Sequence, residues 1–257
     1  MIPIKITRVD ENNDNTPILS NKEIDLYASA VLNDYNPNLL REPGKINYEH
    51  FLESYLGMNI LYKDIYYKEN TPPIYAVTVF RDGLVKIFDR ENSCIVNRPT
   101  RANTVIIDNA VTENDGMATF TGLHESGHIL LHKDTFSIFR AGQICCRKKA
   151  ARKVPNGHSN WTAEEWREHQ ANRFASSIAM PDETFIPFVG NLLREYNLWK
   201  RCIVLGQDDD LDTVAEELLP ESISEVYGVS KQAASVKLRS SGFVQPQKSF
   251  NPNEIRA

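Results

Sequence analysis

The chain has 257 residues, with 29 Lys and Arg residues against 34 Asp and Glu residues and a formal net charge of −5 at pH 7. Hydrophobic residues make up 41% and charged residues 25%, as in an ordinary globular domain. This composition excludes an intrinsically disordered chain, a collagen-like chain and a small disulfide scaffold. The mild acidity also argues against a protein whose main role is to coat nucleic acid or an anionic membrane.

The first residues and the cysteines indicate a cytoplasmic protein. Residues 1–10 contain no charged stretch followed by an apolar core, so no secretory signal is predicted. No apolar run approaches the length that a membrane span needs. The four cysteines include no CxxC pair, which disfavours a structural zinc site built from thiolates, and we expect them to be reduced.

The predicted elements begin with a leader and two helices. Residues 1–20 are polar and rich in turn residues, so we expect a loose leader. Residues 21–34 fit an amphipathic helix with Asn21 as its cap, and residues 47–56 fit a second helix that ends at Gly57. The first helix is expected to bury Ile24, Leu26, Tyr27, Ala30 and Val31.

The pattern then changes to that of β-strands. Four short runs rich in β-branched and aromatic residues cover 60–62, 74–80, 84–88 and 103–108. The dipeptide Asp82-Gly83 separates the second run from the third, which predicts that these two runs form a hairpin. Residues 58–108 are therefore predicted to form a small, mostly antiparallel sheet.

Helical periodicity returns over residues 117–132. Residues 133–160 are expected to be irregular, and they carry the pair Cys145-Cys146 and the basic residues Arg147, Lys148, Lys149, Arg152 and Lys153. A capping box at Thr162–Glu165 begins the next helix, and Pro181 ends it. Residues 21–200 are taken as the main domain.

Residues 201–257 are predicted to be a helical C-terminal segment with a short tail, after a further helix over 185–197. The acidic run 208–212 stands at the entry of one helix, and residues 221–241 contain two short helices with Gly228 between them and Ser230 as a cap. This is the outline of a helix-turn-helix. Its expected packing residues are Ile223, Val226, Tyr227, Ala233, Val236 and Leu238, and its polar residues are Lys231, Gln232, Ser235, Lys237 and Arg239.

The motif that carries chemistry lies within residues 120–132, FTGLHESGHILLH. Its core is His124-Glu125-x-x-His128. Positions four apart share one face of a helix, so both imidazoles can bind one zinc ion, with manganese as the alternative. Glu125 stands beside the first ligand, where it can act as general base on a metal-activated water. Gly127 leaves space for another element to pack closely.

A hydrolytic zinc site needs a third protein ligand, which should come from a different element. Glu168 falls on the inward side of the helix that begins near Thr162, and Asn172 lies one turn later, where its amide can orient a ligand. His132 continues the face of His124 and His128. One straight helix cannot easily wrap three turns around one ion, so His132 is interpreted as a neighbour of the site, with direct ligation as the alternative.

Other candidates have simpler explanations. Glu164 and Glu165 lie in the first turn of their helix, where capping and the helix dipole account for them. His169 is offset from the apolar face of that helix, and it stays an alternative ligand. His50 and His158 are interpreted as ordinary surface or loop residues.

The string HESGHILLH, followed by ExxANRFASSIAMP, resembles the ImmA/IrrE family of metallo-endopeptidases over about residues 21–197. The resemblance implies an α+β, zincin-like fold with an HExxH helix. It also implies zinc ligands at His124, His128 and Glu168 and a catalytic base at Glu125, which agrees with the choice made from spacing. Gln170 stands where many members have a second acidic residue.

The resemblance further implies a cytoplasmic bacterial or phage protein that cuts a helix-turn-helix repressor. We therefore predict a regulatory, zinc-dependent endopeptidase with a protein substrate, without a membrane or nucleic-acid partner and of open oligomeric state. Two alternatives remain. One is a non-catalytic, metal-binding regulator of a repressor or antitoxin, and the other is a DNA-binding regulator acting through residues 221–242. The intact Glu125 favours the enzyme over the first alternative, because metal binding alone does not require it.

Overall fold

The computed structural model of the chain describes residues 6, 8–10, 14–138, 143–147, 161–198 and 202–246, of which residues 137–138 and 143–147 are described by their secondary structure alone. Helices and short strands are both abundant among these residues. The predicted α+β fold class is confirmed.

The described chain opens with a short hairpin. β1 (Val9–Asp10) and β2 (Thr16–Pro17) pair antiparallel. The side chain of Thr16 is buried, and the Arg167 guanidinium donates to its hydroxyl at 2.9 Å. Part of the segment that the sequence assigns to the leader is therefore packed against a helix far along the chain.

The first helix, α1 (Asn21–Tyr35), begins one residue earlier than predicted. Ser20 is its cap, and Ser20 and Glu23 form a reciprocal capping box, so Asn21 is the first helical residue. The prediction that Leu26 packs inward is wrong, because its side chain is 61% exposed. Leu26 lies two residues from Ile24, and two residues on a helix turn the side chain by about 200°. The buried face consists of Ile24, Ala28, Val31 and Leu32.

The second predicted helix is present in two parts. After a 3₁₀ turn over Pro37–Leu40, α2 (Tyr48–His50) continues as a π-helical turn over Phe51–Tyr55. The Asn47 side chain accepts from the backbone N–H of the last α2 residue and caps it. Gly57 follows at φ 68°, a left-handed conformation that suits glycine and ends the helix as predicted.

A four-stranded sheet lies at the centre of the molecule. Its strands are β3 (Asn59–Lys63), β4 (Ile74–Val79), β7 (Thr104–Asp108) and β8 (Gln143–Arg147), in the order β3-β7-β4-β8. β3 and β7 are parallel, and the other two pairs are antiparallel. β8 falls within residues 133–160, which the sequence predicts to be irregular, so that prediction is wrong for this strand. Cys145 and Cys146 belong to it.

The remaining two strands form a separate hairpin, β5 (Gly83–Asp89) with β6 (Cys94–Thr100). The predicted hairpin across Asp82-Gly83 is wrong, because β4 pairs with β7 and β8 while β5 pairs with β6. The Asp82 carboxylate instead accepts a hydrogen bond from the backbone N–H of Ala102 at 2.7 Å, which connects the chain just before β5 to the chain just after β6. A turn signal predicts a reversal but does not specify which strands pair across it.

Three long helices follow: α3 (Asp115–Ile138), α4 (Ala163–Ala179) and α5 (Asp182–Glu195). α3 extends into the region predicted to be irregular. The predicted capping box of α4 is present, with Thr162 and Glu165 as its two partners, and Pro181 ends the helix as expected. The basic residues Lys148, Lys149, Arg152 and Lys153 lie outside the described residues.

The C-terminal segment contains the two predicted short helices. α6 (Asp209–Thr213) follows strand β9 (Ile203–Val204), then come α7 (Leu219–Tyr227) and α8 (Lys231–Ser240), and β10 (Val244–Gln245) returns to pair parallel with β9. The turn between α7 and α8 has Gly228 at φ 66° and Ser230 as the cap of α8, as predicted.

Two assignments in α8 are wrong. Val236, predicted to pack inward, is 56% exposed, whereas Lys237, predicted to be a polar surface residue, is buried. The two residues are neighbours and lie about 100° apart around the helix axis, so when Lys237 faces the core Val236 turns toward solvent. Lys237 reaches the carboxylate of Asp182 at 2.5 Å, and this ion pair compensates for burying its charge.

The helix α3 lies between the sheet and the helical layer. Ala118 and Ile129 pack against sheet residues such as Val105, whereas Leu123 and Leu131 belong to the core made by the helices. The β5–β6 hairpin covers the opposite face of the sheet. Because both sides of α3 are covered, every face of its central turns meets protein.

Candidate active site

The HExxH motif occupies the buried centre of α3. The residues His124, Glu125, His128 and His132 are at most 2% exposed. Imidazole and carboxylate groups at such depth need polar partners, because burying them without partners costs several kcal/mol. The partners come from β4, α4 and α3 itself.

Three side chains converge on one point. The Nε2 atoms of His124 and His128 are 3.0 Å apart, and the Glu168 carboxylate lies 3.6 Å from the first and 3.4 Å from the second. One ligand atom from each residue lies within 4.8 Å of the others. Two nitrogens and one oxygen at this separation can surround one metal ion with bonds of about 2 Å and leave a fourth position open.

The close approach of α4 to α3 brings Glu168 into this group. Gly127 faces Ala171, and a Cβ atom built on Gly127 would lie 2.9 Å from the Ala171 Cα. The missing side chain lets the helix axes approach, as the sequence predicts. Glu168 lies one turn before Ala171 and therefore projects into the space beside the two histidines.

Each histidine of the motif has a partner on its other ring nitrogen. Nδ1 of His124 lies 3.0 Å from Oδ1 of Asn172, and Nδ1 of His128 lies 3.0 Å from Nδ1 of His132. These contacts leave both Nε2 atoms directed at Glu168. Such outer contacts orient imidazole ligands in metalloproteins. The structure thus places Asn172 and His132 beside the site, where the sequence predicts them.

His132 is further bound by Gln170. Its Nε2 lies 2.9 Å from the Gln170 side-chain oxygen, and the Gln170 amide nitrogen donates to the Pro17 carbonyl oxygen at 2.6 Å. Burial lowers the pKa of His132 well below its ordinary value, so the ring is neutral at pH 7. The sequence shows Gln170 as a departure from the family pattern but does not reveal this contact.

Glu125 faces the sheet rather than α4. It lies seven residues after Ala118 on the sheet-facing stripe of α3, and its Oε2 accepts from the Thr78 hydroxyl on β4. Among the described residues its Oε1 has no hydrogen-bond partner, although it is buried. Burial raises the pKa of Glu125 to about 7. This carboxylate can therefore take up and release a proton near neutral pH.

Thr78 is a residue that the sequence analysis did not identify. It lies within the largely apolar run 74–80, between Val77 and Val79. A buried threonine needs a partner for its O–H group, which is the available signal. The identity of that partner depends on which face of β4 meets α3.

The other candidates lie apart from this cluster. Glu165 caps α4, and His169 lies 3.0 Å from the Asn21 side-chain oxygen through its Nε2. Nδ1 of His50 lies 2.9 Å from the Tyr35 hydroxyl. None of the three belongs to the metal-binding group found among the described residues. His158 lies outside the part of the chain that the structure describes.

Comparison with known families assigns this site to an enzyme class. The model of a peptidase family, described as the IrrE N-terminal-like domain, matches residues 88–239, more than half of the chain. The chain belongs to this family. The matched IrrE-type region includes the HExxH motif and the helix that carries Glu168. The resemblance to ImmA/IrrE proteins is confirmed, and the protein is a metallopeptidase. The chain has no match among the curated proteins.

The residues present fit the metal that an IrrE-type metallopeptidase requires. The donor set of two imidazoles and one carboxylate is that of a hydrolytic site with three protein ligands. The buried Glu125 Oε1 needs a polar partner, and a water molecule held beside the three ligands would supply one. In the described residues, no helix combines the length and the apolar character that crossing a membrane requires.

Proposed function

We propose that this metallopeptidase is a zinc-dependent endopeptidase that cleaves a helix-turn-helix repressor and so acts as a regulator. The observation that carries the proposal is the buried group of His124, His128 and Glu168, with the free oxygen of Glu125 beside it. Membership of the peptidase family supports hydrolysis of a peptide bond. The repressor substrate and the cytoplasmic location rest on the resemblance to ImmA/IrrE proteins.

The three ligands would hold the metal, and Glu125 would move the proton. A zinc ion bound by His124, His128 and Glu168 would supply a Lewis acid that lowers the pKa of a water molecule and polarises the peptide carbonyl. Glu125 takes the proton of the attacking water on Oε1 and passes it to the leaving amine. Burial raises the pKa of Glu125, which favours its holding a proton between the two transfers.

The substrate is proposed to bind as an extended strand at an edge of the sheet. β4 carries the Thr78 hydroxyl that contacts the catalytic base, but β7 and β8 already pair with its two sides. Among the strands that the structure describes, the edge of the sheet on this side is therefore β8, which lies next to β4. A substrate strand paired with β8 would lie about 4.8 Å from β8 and therefore two strand spacings from β4.

The contacts of α8 disfavour the DNA-binding alternative. Of its three basic residues, Lys237 is buried against Asp182. Lys231 and Arg239 form ion pairs with Glu221 and Glu216, at 2.9 and 3.3 Å. Phosphate contacts would have to compete with these carboxylates. The segment is better suited to packing or to partner recognition.

Cleavage of the repressor encoded beside the gene tests the proposal. The purified full-length protein is incubated with that repressor and zinc, and products are identified by gel electrophoresis and mass spectrometry. We expect the wild type to cleave, and we expect Glu125→Gln to bind zinc with similar affinity but to lose cleavage by at least about 10³-fold. A metal chelator should abolish cleavage by the wild type.

The controls separate the alternatives. Glu164→Gln, a change in a carboxylate of the first turn of α4, should leave cleavage unchanged. Equal cleavage by wild type and Glu125→Gln would show that the activity does not come from this site. Zinc binding without cleavage of the repressor would instead favour the non-catalytic regulator.

A further inference from the structure

A chain of hydrogen bonds connects the metal-binding group to the N-terminal hairpin. It runs from His128 Nδ1 to His132 Nδ1 (3.0 Å), from His132 Nε2 to Gln170 Oε1 (2.9 Å), and from Gln170 Nε2 to the Pro17 carbonyl oxygen (2.6 Å). The three side chains in it are at most 1% exposed. Water therefore has little access to exchange these partners.

The direction of each hydrogen bond follows from the last one. The Pro17 carbonyl can only accept, so the amide nitrogen of Gln170 must face it, and the Gln170 oxygen must face His132. That oxygen also can only accept, so His132 carries its proton on Nε2. A neutral imidazole has one N–H group, and Nδ1 of His132 is then an acceptor.

The direction of the hydrogen bond between His128 and His132 follows from this. Two ring nitrogens 3.0 Å apart share one proton, and His132 Nδ1 accepts it. His128 must therefore carry its proton on Nδ1. This tautomer puts the lone pair of His128 on Nε2, the atom that lies 3.0 Å from His124 Nε2 and 3.4 Å from the Glu168 carboxylate.

We propose that His132 and Gln170 are positioning residues that hold His128 in its metal-binding tautomer. The chain of hydrogen bonds that passes through them, called the relay below, is anchored at the carbonyl of Pro17. The proposal rests on the ligand set of the proposed function. It makes β2 a supporting element of the metal site, although Pro17 lies far upstream of the residues matched by the family model.

The relay also excludes His132 as a ligand of the same ion. Its Nδ1 faces the Nδ1 side of His128, whereas the ligand atom of His128 is Nε2 on the far side of the ring. His132 Nε2 is occupied by Gln170. His124 is oriented differently, through the Asn172 side-chain oxygen on α4, so the two ligands depend on separate supports.

The tautomers can be observed directly in the zinc-loaded wild type, because without a metal the Nε2 atoms of His124 and His128, 3.0 Å apart, would also share a proton. Long-range ¹H–¹⁵N correlation spectra of the ¹⁵N-histidine-labelled full chain distinguish Nδ1–H from Nε2–H rings. We expect His128 as the Nδ1–H tautomer and His132 as the Nε2–H tautomer. An Nδ1–H tautomer or a doubly protonated ring at His132 would overturn the proposal, and this measurement needs neither a variant nor enzymatic activity.

Zinc affinity of variants gives the second readout. We expect His132→Phe and Gln170→Leu to weaken zinc binding about 10- to 100-fold in competition with a chromophoric chelator, because the imidazole of His128 loses its fixed tautomer. The matched control is Thr135→Val. Thr135 is buried on α3 and its hydroxyl donates to the Asn15 carbonyl at 3.3 Å, so the change removes one bond to the same N-terminal segment but leaves the relay intact.

The outcomes distinguish this proposal from the proposed function. If the wild type binds no zinc, the ligand set itself fails, whatever the tautomers are. If the wild type binds zinc and both relay variants, folded by circular dichroism, bind it equally well, the relay fails while the metallopeptidase stands. If a relay variant does not fold, the wild-type tautomers still decide.

Discussion

At the scale of single residues, the base Glu125 is held by one hydroxyl. Its Oε2 accepts from Thr78, and its Oε1 has no hydrogen-bond partner among the described residues, which leaves it available for the attacking water of the proposed mechanism. The hydrogen bond favours the charged form and lowers the pKa of Glu125, while burial raises it more. Thr78 therefore limits how far the pKa of this carboxyl rises above its ordinary value.

We predict that Thr78→Val raises the pKa of Glu125 and slows cleavage at neutral pH. Loss of a hydrogen bond to a charged group, worth about 1.5–3 kcal/mol, should move the acidic limb of the pH profile of kcat/KM upward by roughly one to two units. The sign follows because less of the base is deprotonated at a given pH. The pH profile of repressor cleavage measures the shift.

The matched control for this change is Thr104→Val, in a buried position of the adjacent strand β7. It makes the same threonine-to-valine change at a buried position of the sheet but leaves the hydrogen bond to Glu125 in place. We expect its acidic limb to coincide with that of the wild type. If the limbs of Thr78→Val and wild type also coincided, Thr78 would have no influence on the base.

Residue-scale predictions from the sequence succeeded where one helix decides the geometry. The spacing of His124 and His128 places both on one face whatever the rest of the fold does. Thr78 and Gln170 were missed as functional positions, because their roles depend on which strand face meets α3 and on where β2 lies. Neither fact has a local signature.

At the scale of elements, the site depends on how closely α3 and α4 pack. Gly127 permits the contact with Ala171, and Glu168 reaches the histidines from the same helix. A side chain at Gly127 would press against backbone atoms, which cannot move away as the end of a flexible side chain can. The helix separation and the ligand geometry are therefore coupled.

We predict that Gly127→Ala destabilises the protein by about 1–3 kcal/mol through overpacking and weakens zinc binding at the same time. Urea unfolding and zinc competition measure the two effects. Gly190→Ala is the control, because no described atom lies within 4 Å of a Cβ atom built there in α5. This control should stabilise the protein by about 0.4–1 kcal/mol. If Gly127→Ala bound zinc as tightly as the wild type, the packing of α3 against α4 would not control the geometry of the metal site.

Element boundaries from the sequence were accurate for helices with strong end signals. The capping box at Thr162–Glu165 and the turn at Gly228 lie where expected. The predicted pairing of strands was wrong, because β4 pairs with β7 and β8 instead of with β5. Capping is satisfied within one turn of chain, whereas pairing partners are chosen by the hydrophobic faces that the whole sheet has to cover.

At the scale of the whole molecule, the C-terminal helices are part of the main core. Tyr227 of α7 and Leu238 of α8 belong to one buried cluster with Ile24 of α1, Phe174 of α4 and Phe185 of α5. The ion pair of Lys237 with Asp182 connects α8 to the beginning of α5, with the ammonium 5.5 Å from the Phe185 ring centroid. These contacts indicate a packing role for the segment.

We predict that Asp182→Asn destabilises the protein by about 1–3 kcal/mol, because it leaves the buried Lys237 ammonium without its counter-charge and Asp182 is itself half exposed to solvent. Adding Lys237→Met should recover most of this loss, since the methionine has similar volume and no charge. Urea unfolding measures both variants.

The control breaks an exposed ion pair of the same kind. Glu221→Gln removes the partner of Lys231, and both side chains are at least half exposed, so the free energy of unfolding should change by less than about 0.5 kcal/mol. Equal effects of Asp182→Asn and Glu221→Gln would contradict a buried, structural role of Lys237.

The sequence by itself determined the α+β class, the shared helix face of His124 and His128 and the caps of α4 and α8, because each follows from spacing or capping along a short stretch of chain. It also predicted Glu168 as the third ligand of the candidate metal site. Only the tertiary structure decided that Thr78 contacts the base, that Gln170 and Pro17 complete a relay behind His128, and that Lys237 is buried. These contacts join residues that are distant in the chain. They depend on how α3 is enclosed between the sheet and the helical layer, which no local pattern specifies.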